Sequence, residues 1–481
     1  MSCTIASVAP PARQRTASQA SARRVLDFCA MALPPGPRAP GIVNLVRFAR
    51  RPLERLRGWR ERYGDVITVK LAGFGTGVYV ADPDAIRELF TGEQSDLLAG
   101  EANSFMAPVL GKHSVLVLDG PEHMRQRKLL LPPFGGSRVA AFREVIREVA
   151  EREVAGWREG STLVLRARMR ALTFEVICRA VFGVTEPARV ERLRELLGAV
   201  IDSSPIYMIT PLARADLGPL SPGRRFARRL RAADEALYEE IRLRREQPDL
   251  DQRGDVLSLL LRARDEQGAA MSDAELRDEL FTMLGAGHET TATALAFAFD
   301  LLLRHPAALA RLREELERGE DDAYLDAVVK ETLRLRPVID AAERTLTEPR
   351  VVAGFELPAG VKVYPGIALV HMREDLYPRA HEFRPERFAD AGAESYSWLP
   401  FGGGIRRCIG AALAQAEIAE VLRTIVPRVE LRPLRERPDP VVLRGITLAP
   451  KHGVRVVVER ALRPPGSPSA SPAHKPAEIA A

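Results

Sequence analysis

The chain has 481 residues, of which 46% are hydrophobic and 28% charged, so it can bury a large core unaided, and both a disulfide-stapled miniature and bulk disorder are excluded. Seventy Lys and Arg stand against 64 Asp and Glu for a net charge of +6, and only seven of the seventy are Lys. With the arginines scattered among so many acids, no basic stripe for nucleic acid emerges.

Ahead of Asp27 the N-terminus holds Arg13, Arg15, Arg23 and Arg24 with many Ser and Ala and no acid. That composition matches a transit peptide, but no apolar run leads to a small-residue cleavage site. Residues 1–32 are therefore read as a disordered extension, or as the product of a start upstream of Met31. Leu33-Pro-Pro-Gly-Pro-Arg38 is a stiff, extended lead-in to one domain over 33–462. Two β-rich runs follow, Asp65–Lys70 and Val78–Val80, separated by Gly73-Phe74-Gly75-Thr76-Gly77. A phosphate loop needs a helix directly after its strand; here a second strand follows, so the glycines predict a hairpin. From Pro121 to about Pro337 the signals are almost all helical, and β-type runs return at Val351-Val352, at Val361-Lys362-Val363 and near the C-terminus. The fold class expected is mainly α with a smaller β region. Residues 463–481, rich in Pro, Ser and Ala, form a loose tail that cannot repay its ordering entropy.

Ser272-Asp-Ala-Glu275 has the form of a capping box, and no proline intervenes until Pro306. A helix of ~33 residues at ~1.5 Å each runs ~50 Å, across the whole domain. His288, Glu289, Thr290, Thr291 and Thr293 at its centre, with Asp300 beyond, make a lipid-facing span costly. Gly285 and Gly287 each cost about 1 kcal/mol against Ala in a helix. Either they let something flat approach the backbone or they serve close helix packing. Thr290 can turn its hydroxyl toward a preceding carbonyl and open a polar notch.

The four cysteines, Cys3, Cys29, Cys178 and Cys408, stand far apart and in no metal-binding or C-x-x-C spacing. This argues against a disulfide framework, a zinc site or an iron–sulfur cluster, and fits a reducing compartment. Cys408 differs from the rest. It follows Phe401-Gly-Gly-Gly404-Ile-Arg406-Arg407 and precedes a helix from Ala411, near a helix N-terminus where orphan N–H groups and the macrodipole favour a thiolate. The glycines let amides approach the sulfur, the arginines add positive charge, and Phe401 can shield it from water. Such a cysteine is a candidate iron ligand or nucleophile. No thiol-hydrolase signature surrounds it, whereas axial ligation of a haem needs no catalytic histidine.

The run FGGGIRRCIG over 401–410 resembles the cysteine loop of the cytochrome P450 haem-thiolate monooxygenases, with Phe401, Gly404, Arg406, Cys408 and Gly410 at the pattern positions. Ala286-Gly287-His288-Glu289-Thr290-Thr291 is similar to the oxygen-activation segment of that family's long central helix. Glu331-Thr-Leu-Arg334 is similar to its E-x-x-R, and Phe383-Arg-Pro-Glu-Arg387-Phe388 to its PERF segment. The four stand in the family's order and spacing over about residues 33–458.

The resemblance implies the family's fold, with the long helix over haem, and heme b (iron protoporphyrin IX) with Cys408 as axial metal ligand. It implies O2 as oxidant and electrons from NAD(P)H through a redox partner. Phe401, Gly404, Gly410, Ala286 and Gly287 are implied to line the cofactor, with His123 and Arg127 on one propionate side and Arg344 and Arg406 on the other. Glu331, Arg334 and Arg387 are implied to form a buried ion network that fixes the cysteine loop. Glu289 and Thr290 look like the acid–alcohol pair that delivers protons during oxygen activation, a pair that peroxide-using relatives replace with arginine. The implied pocket walls are Phe105, Met106, Ile206, Tyr207, Met208, Ala286, Val338, Ile339, Ile446, Thr447 and Leu448. They are mostly apolar, so the expected substrate is a fatty acid, terpenoid or polyketide oxidised at a C–H or C=C bond. Two departures stand out. Asp340 follows where the family is usually apolar, and either lines the pocket or turns outward. The stretch His371-Met-Arg-Glu-Asp-Leu-Tyr-Pro378 is similar to a soluble bacterial branch of fatty-acid and terpenoid oxidisers.

No flavin or iron–sulfur module remains, so a separate acidic ferredoxin or flavodoxin, with its reductase, is expected to bring electrons, steered by Arg407 and Lys128. A cytoplasmic monomer without an integral membrane segment is expected. The basic run Arg224–Arg231 is read as a solvated helix face. The competing classes are a non-catalytic haem sensor and an oxygen-independent lipid-hydroperoxide isomerase or dehydratase. A sensor has no use for the Glu289–Thr290 pair, and such isomerases carry altered central-helix and cysteine-loop sequences.

Overall fold

The computed structural model describes residues 33–92, 95–218, 221–319, 322–389 and 396–461; the N-terminal extension and C-terminal tail expected above lie outside them. The chain begins extended, with the Thr68 N–H donating to Pro35 O at 3.1 Å. It then forms α1 (Gly41–Arg50) and α2 (Pro52–Tyr63), the latter opening on a proline whose missing N–H is no loss there. β1 (Val66–Leu71) and β2 (Gly75–Val80) pair antiparallel from Val66↔Val80 to Leu71↔Gly75, the hairpin that the glycines predict. Next comes α3 (Pro83–Thr91), capped by the Asp82 carboxylate, which accepts the Ala85 N–H at 2.8 Å. β3 (Leu97–Leu98), α4 (Gly120–Leu130), α5 (Gly136–Ala155), β4 (Thr162–Val164), α6 (Leu165–Ala180), α7 (Pro187–Ile209) and α8 (Pro222–Arg245) follow.

The central helix α9 (Asp273–Arg304) opens on the expected capping box: Ser272 Oγ accepts the Glu275 N–H at 3.3 Å, and Glu275 Oε2 accepts the Ser272 N–H at 2.7 Å. Leu276, Leu280 and Leu284 before its midpoint and Leu295, Phe299 and Leu302 after it are buried, each worth ~1.5–3 kcal/mol. α6 and α8 cover it on its flanks. Pro306 disfavours helix at His305, so the chain turns by 109° into α10 (Pro306–Arg318). Among the described residues no single helix is long and apolar enough to cross a membrane.

α11 (Ala323–Leu335) packs on α9 and leads to β5 (Arg344–Leu346), the hairpin of β6 (Arg350–Val352) and β7 (Phe355–Leu357), and β8 (Lys362–Pro365). One sheet has the order β1-β2-β8-β5-β3, with only the β2–β8 pair parallel. It places Arg344, the first residue of β5, beside the cysteine loop that precedes α12 (Ala411–Ile425). At the C-terminal end β9 (Val429–Pro433), β10 (Val441–Arg444), β11 (Thr447–Pro450) and β12 (Arg455–Ala461) follow; β4 and β9 flank β12, and β10 pairs with β11. The helical bulk with small sheets is the class that the sequence implies.

Candidate functional site

The cysteine loop is tied down at its base and pressed flat. Trp398 Nε1 donates to Lys330 O at 3.1 Å, and the Cys408 N–H folds back to Phe401 O at 2.9 Å. Gly404 has φ +63, and a Cβ on it would lie 1.9 Å from Phe90 O at the end of α3, so only glycine fits. The Cys408 sulfur keeps accessible surface although it lies deep among protein atoms, so it faces an interior space. Burial raises its pKa, outweighing the Gly410 N–H, Arg407 and Arg127, which all pull it down. The loop amide and the arginines favour the thiolate in the sense that the sequence implies, and burial opposes them.

Four side chains converge near that loop. Arg406, Arg127 and Arg344 all disfavour a proton on His123, whose pKa falls to about 3, chiefly through burial. His123 is neutral. Arg127 Nη2 donates to Arg407 O and Arg344 Nη1 to Glu343 O, both at 2.7 Å. His123 Nδ1, Arg344 Nε and Arg406 Nε are buried without a partner. Burial, with repulsion from Arg406, pushes Arg344 down to about 10; burial likewise lowers Arg406 to about 10, with Arg127 adding to it. Orphaned donors among crowded cations fit an anionic ligand such as the two carboxylates of a haem.

On the central helix, Ala286 is exposed although Leu284 and His288 on either side of it are buried. Thr290 Oγ1 donates to Ala286 O at 2.6 Å, the back-bond expected of it. Gly285 has open space where a Cβ would stand, but a Cβ on Gly287 would strike Ile177 Cδ1 at 2.5 Å. Gly287 thus serves close packing against α6, which corrects the expectation that it lines the cofactor. Glu289 is held in an ion cluster with Arg166 and with Arg170 Nε, the latter at 2.6 Å. Sequence reasoning missed both arginines: Arg166 is 123 residues away, and only the four-residue step between the two on α6 hints at a shared face.

The Glu331 carboxylate accepts from Arg334 Nε at 2.7 Å and Nη2 at 2.9 Å, from Arg387 Nε at 3.1 Å and from the Arg384 N–H at 2.9 Å. Arg334 Nη1 also donates to His371 O at 2.7 Å and Ala380 O at 2.9 Å. His371, also missed as a site residue, completes the link. Its Nδ1 lies 3.1 Å from Arg334 O and its Nε2 accepts the Leu399 N–H at 2.8 Å, so the proton sits on Nδ1. Burial and Arg334 lower its pKa to about 3 and keep it neutral. The E-x-x-R helix is thereby joined to the base of the cysteine loop.

Of the expected pocket residues, Met106 and Val338 are buried, and Phe105, Tyr207 and Met208 pack against the same apolar cluster as α9. Phe105 meets the hairpin-tip Phe74 edge-on at 6.1 Å. Tyr207 stacks on Phe226 at 4.0 Å. Leu448 is buried and its N–H donates to Val338 O at 2.8 Å; Thr447 is buried beside it. Ile339 packs instead with the sheet cluster, and Ile446 is 40% exposed. The Ile206 side chain lies outside the described residues. Asp340 does not turn outward: it is buried and accepts from the Tyr79 hydroxyl at 3.0 Å, which corrects that expectation. Lys128 is taken up by Glu266 at 2.6 Å, while Arg407 is exposed with no carboxylate in salt-bridge range among the described residues.

Comparison with known proteins agrees with this geometry. The family model Cytochrome P450 matches residues 33–455. Cytochrome P450 135B1 of Mycobacterium tuberculosis, a name that states no substrate, is 43% identical over 433 residues, covering 89% of this chain and 92% of its own. Cytochrome P450 135A1 of the same species is 38% identical over 434 residues, covering 89% and 96%. Among solved structures, the retinoic acid bound cyanobacterial CYP120A1 matches with a TM-score of 0.77 at 25% identity, over 90% of this chain and 100% of that one. The cytochrome P450DA heme domain matches with a TM-score of 0.79 at 24% identity, over 90% and 99%.

Proposed function

The chain belongs to the cytochrome P450 family, and from that premise we propose that Cys408 is the thiolate ligand of its haem and that it oxidises a small apolar substrate. Its cofactor is haem with cysteine thiolate ligation, and it is a monooxygenase using O2 and reductant-derived electrons. When bound, the haem supplies oxygen activation, which electron donation from the sulfur favours. The observation that carries the reading is the set of orphaned nitrogens on His123, Arg344 and Arg406 beside a cysteine that faces an interior space.

The chain's own residues then divide the work. Arg127, Arg344, Arg406 and neutral His123 bind and orient the propionates. Phe401 and the flat glycine loop exclude water from the sulfur. Glu331, Arg334, Arg387 and His371 hold that loop in place. Thr290 spends its hydroxyl proton on Ala286 O, leaving lone pairs that accept from a water and order it on the Ala286 face. Glu289, once it releases Arg166 or Arg170, takes up a proton from solvent and passes it to that water.

The apolar character of Met106, Phe105, Val338 and Leu448 supports a fatty acid, terpenoid or polyketide, oxidised at a C–H or C=C bond. Retinoic acid in the cyanobacterial relative belongs to the same broad chemistry. The exposed Arg407 supports an acidic ferredoxin or flavodoxin as electron donor. Two measurements test the reading. The reduced carbonyl complex should show the strongly red-shifted Soret band of thiolate ligation, lost in Cys408→Ala. A panel of lipids and terpenoids should displace water from ferric iron. A protein that stays colourless with haem supplied, or whose band survives Cys408→Ala, overturns it.

A further inference from the structure

The central helix grips the segment ahead of α4 at three successive residues. Asp278 Oδ2 accepts the His113 N–H at 3.0 Å. Thr282 gives its hydroxyl proton to Asp278 O, so Ser114 Oγ, 2.7 Å away, donates to Thr282. Glu279 Oε1 accepts the Val115 N–H at 2.8 Å. The same short segment then receives Arg406: Val115 O accepts Nη1 at 3.2 Å, Leu118 O accepts Nη2 at 2.6 Å, and the Asp119 carboxylate pairs with Nη2. Asp119 is itself fixed by the Gly100 and Glu101 N–H groups at 2.8 and 2.7 Å. A continuous hydrogen-bonded strap therefore joins the helix that carries Thr290 to the loop that carries Cys408.

Glu279 is, with Ser114, a fully buried member of the strap. It has 0% exposure, and its Oε2 has no partner. Burial raises its pKa well above the usual carboxylate range, against the Val115 N–H, which favours its charged form. A buried Val115 N–H deprived of that acceptor is left as an orphaned donor. Its carbonyl, on the far side of the same residue, is one of the three groups that aim Arg406.

We infer that Glu279 is a positioning residue for cofactor retention, which by holding the Val115 N–H fixes the carbonyl cradle that orients Arg406 toward a haem propionate. The inference rests on the reading of Arg406 as a propionate partner. The haem-loaded protein and its Glu279→Gln, Glu279→Leu, Arg406→Leu and Glu279→Leu/Arg406→Leu variants are mixed with excess apomyoglobin, and the rate of haem transfer is followed. Glu279→Leu should speed transfer about tenfold, the effect of one orphaned buried donor. Glu279→Gln, which keeps an accepting oxygen, should stay within about twofold. In the Arg406→Leu background the added loss of Glu279 should change the rate by less than about twofold.

An equal factor with and without Arg406, or no change on Glu279→Leu, overturns the inference. If Glu279→Leu does not fold, Thr282→Val carries the same comparison: a smaller acceleration that vanishes without Arg406 supports the strap, and one that persists refutes it. If Arg406→Leu alone releases haem no faster than the parent, the propionate reading of Arg406 falls instead.

Discussion

Replacing Glu331 by Leu removes the centre of the buried ion network while leaving Arg334 in place. The carboxylate accepts four hydrogen bonds from three arginine residues, and both the Glu331 and Arg334 side chains have 0% exposure. With leucine there, the Arg334 guanidinium keeps the carbonyls of His371, Ala380 and Glu382 and the Tyr377 ring 4.9 Å away, but no carboxylate among the described residues. A buried charge stripped of its counter-ion costs ~3–5 kcal/mol, against a total stability of ~5–15 kcal/mol for a typical domain. The variant should unfold in urea at a much lower midpoint, with the Soret band lost in the same transition. The neighbouring residue supplies a control. Thr332 is equally buried, but its hydroxyl has no partner, so Thr332→Val should be neutral or stabilising. If Glu331→Leu lies within about 0.5 kcal/mol of the parent, as an unremarkable surface change would, the network does not hold the loop.

Thr290→Ala should keep the Soret band but lower product formed per NAD(P)H, with hydrogen peroxide released instead; unchanged coupling would count against a water-ordering hydroxyl. Burial pushes Asp340 up to about 6, despite the Tyr79 hydrogen bond, above the ~3.9 of an unfolded chain. Between those values the native state holds more proton than the unfolded chain, so stability falls as pH rises from about 4 to about 6 and then levels. Asp340→Asn should lack that slope and exceed the parent by on the order of 2–3 kcal/mol at pH 7; parallel urea-unfolding profiles would rule this out. Arg407→Glu should slow haem reduction by an acidic ferredoxin and flatten its salt dependence while leaving substrate binding alone; stopped-flow rates equal to the parent's at low salt would exclude this docking face.

Local signals in the sequence located the elements well where one stretch of chain decides the structure. The Ser272–Glu275 capping box and Pro306 bracket a helix that runs Asp273–Arg304, and the glycines at 73–77 make a hairpin because a strand follows them. What the sequence hid is tertiary. Gly287 carries no mark that distinguishes a gap for a cofactor from a groove for Ile177. Asp340 is not distinguishable from a surface residue until Tyr79, 261 residues earlier, is folded against it. Arg166, Arg170 and His371 acquire their roles only from partners brought in by other helices. No periodicity or spacing records such pairings.

Phe90 occupies a position with three simultaneous obligations. Its carbonyl oxygen stands where a side chain on Gly404 would begin, its ring stands where one on Gly403 would begin, and the Arg344 guanidinium lies 5.6 Å over that ring. The path of the cysteine loop and the setting of Arg344 thus share a single anvil, so neither can be adjusted alone by altering it. Laboratory evolution toward new substrates should find this site frozen, because any change at it disturbs the loop and Arg344 together.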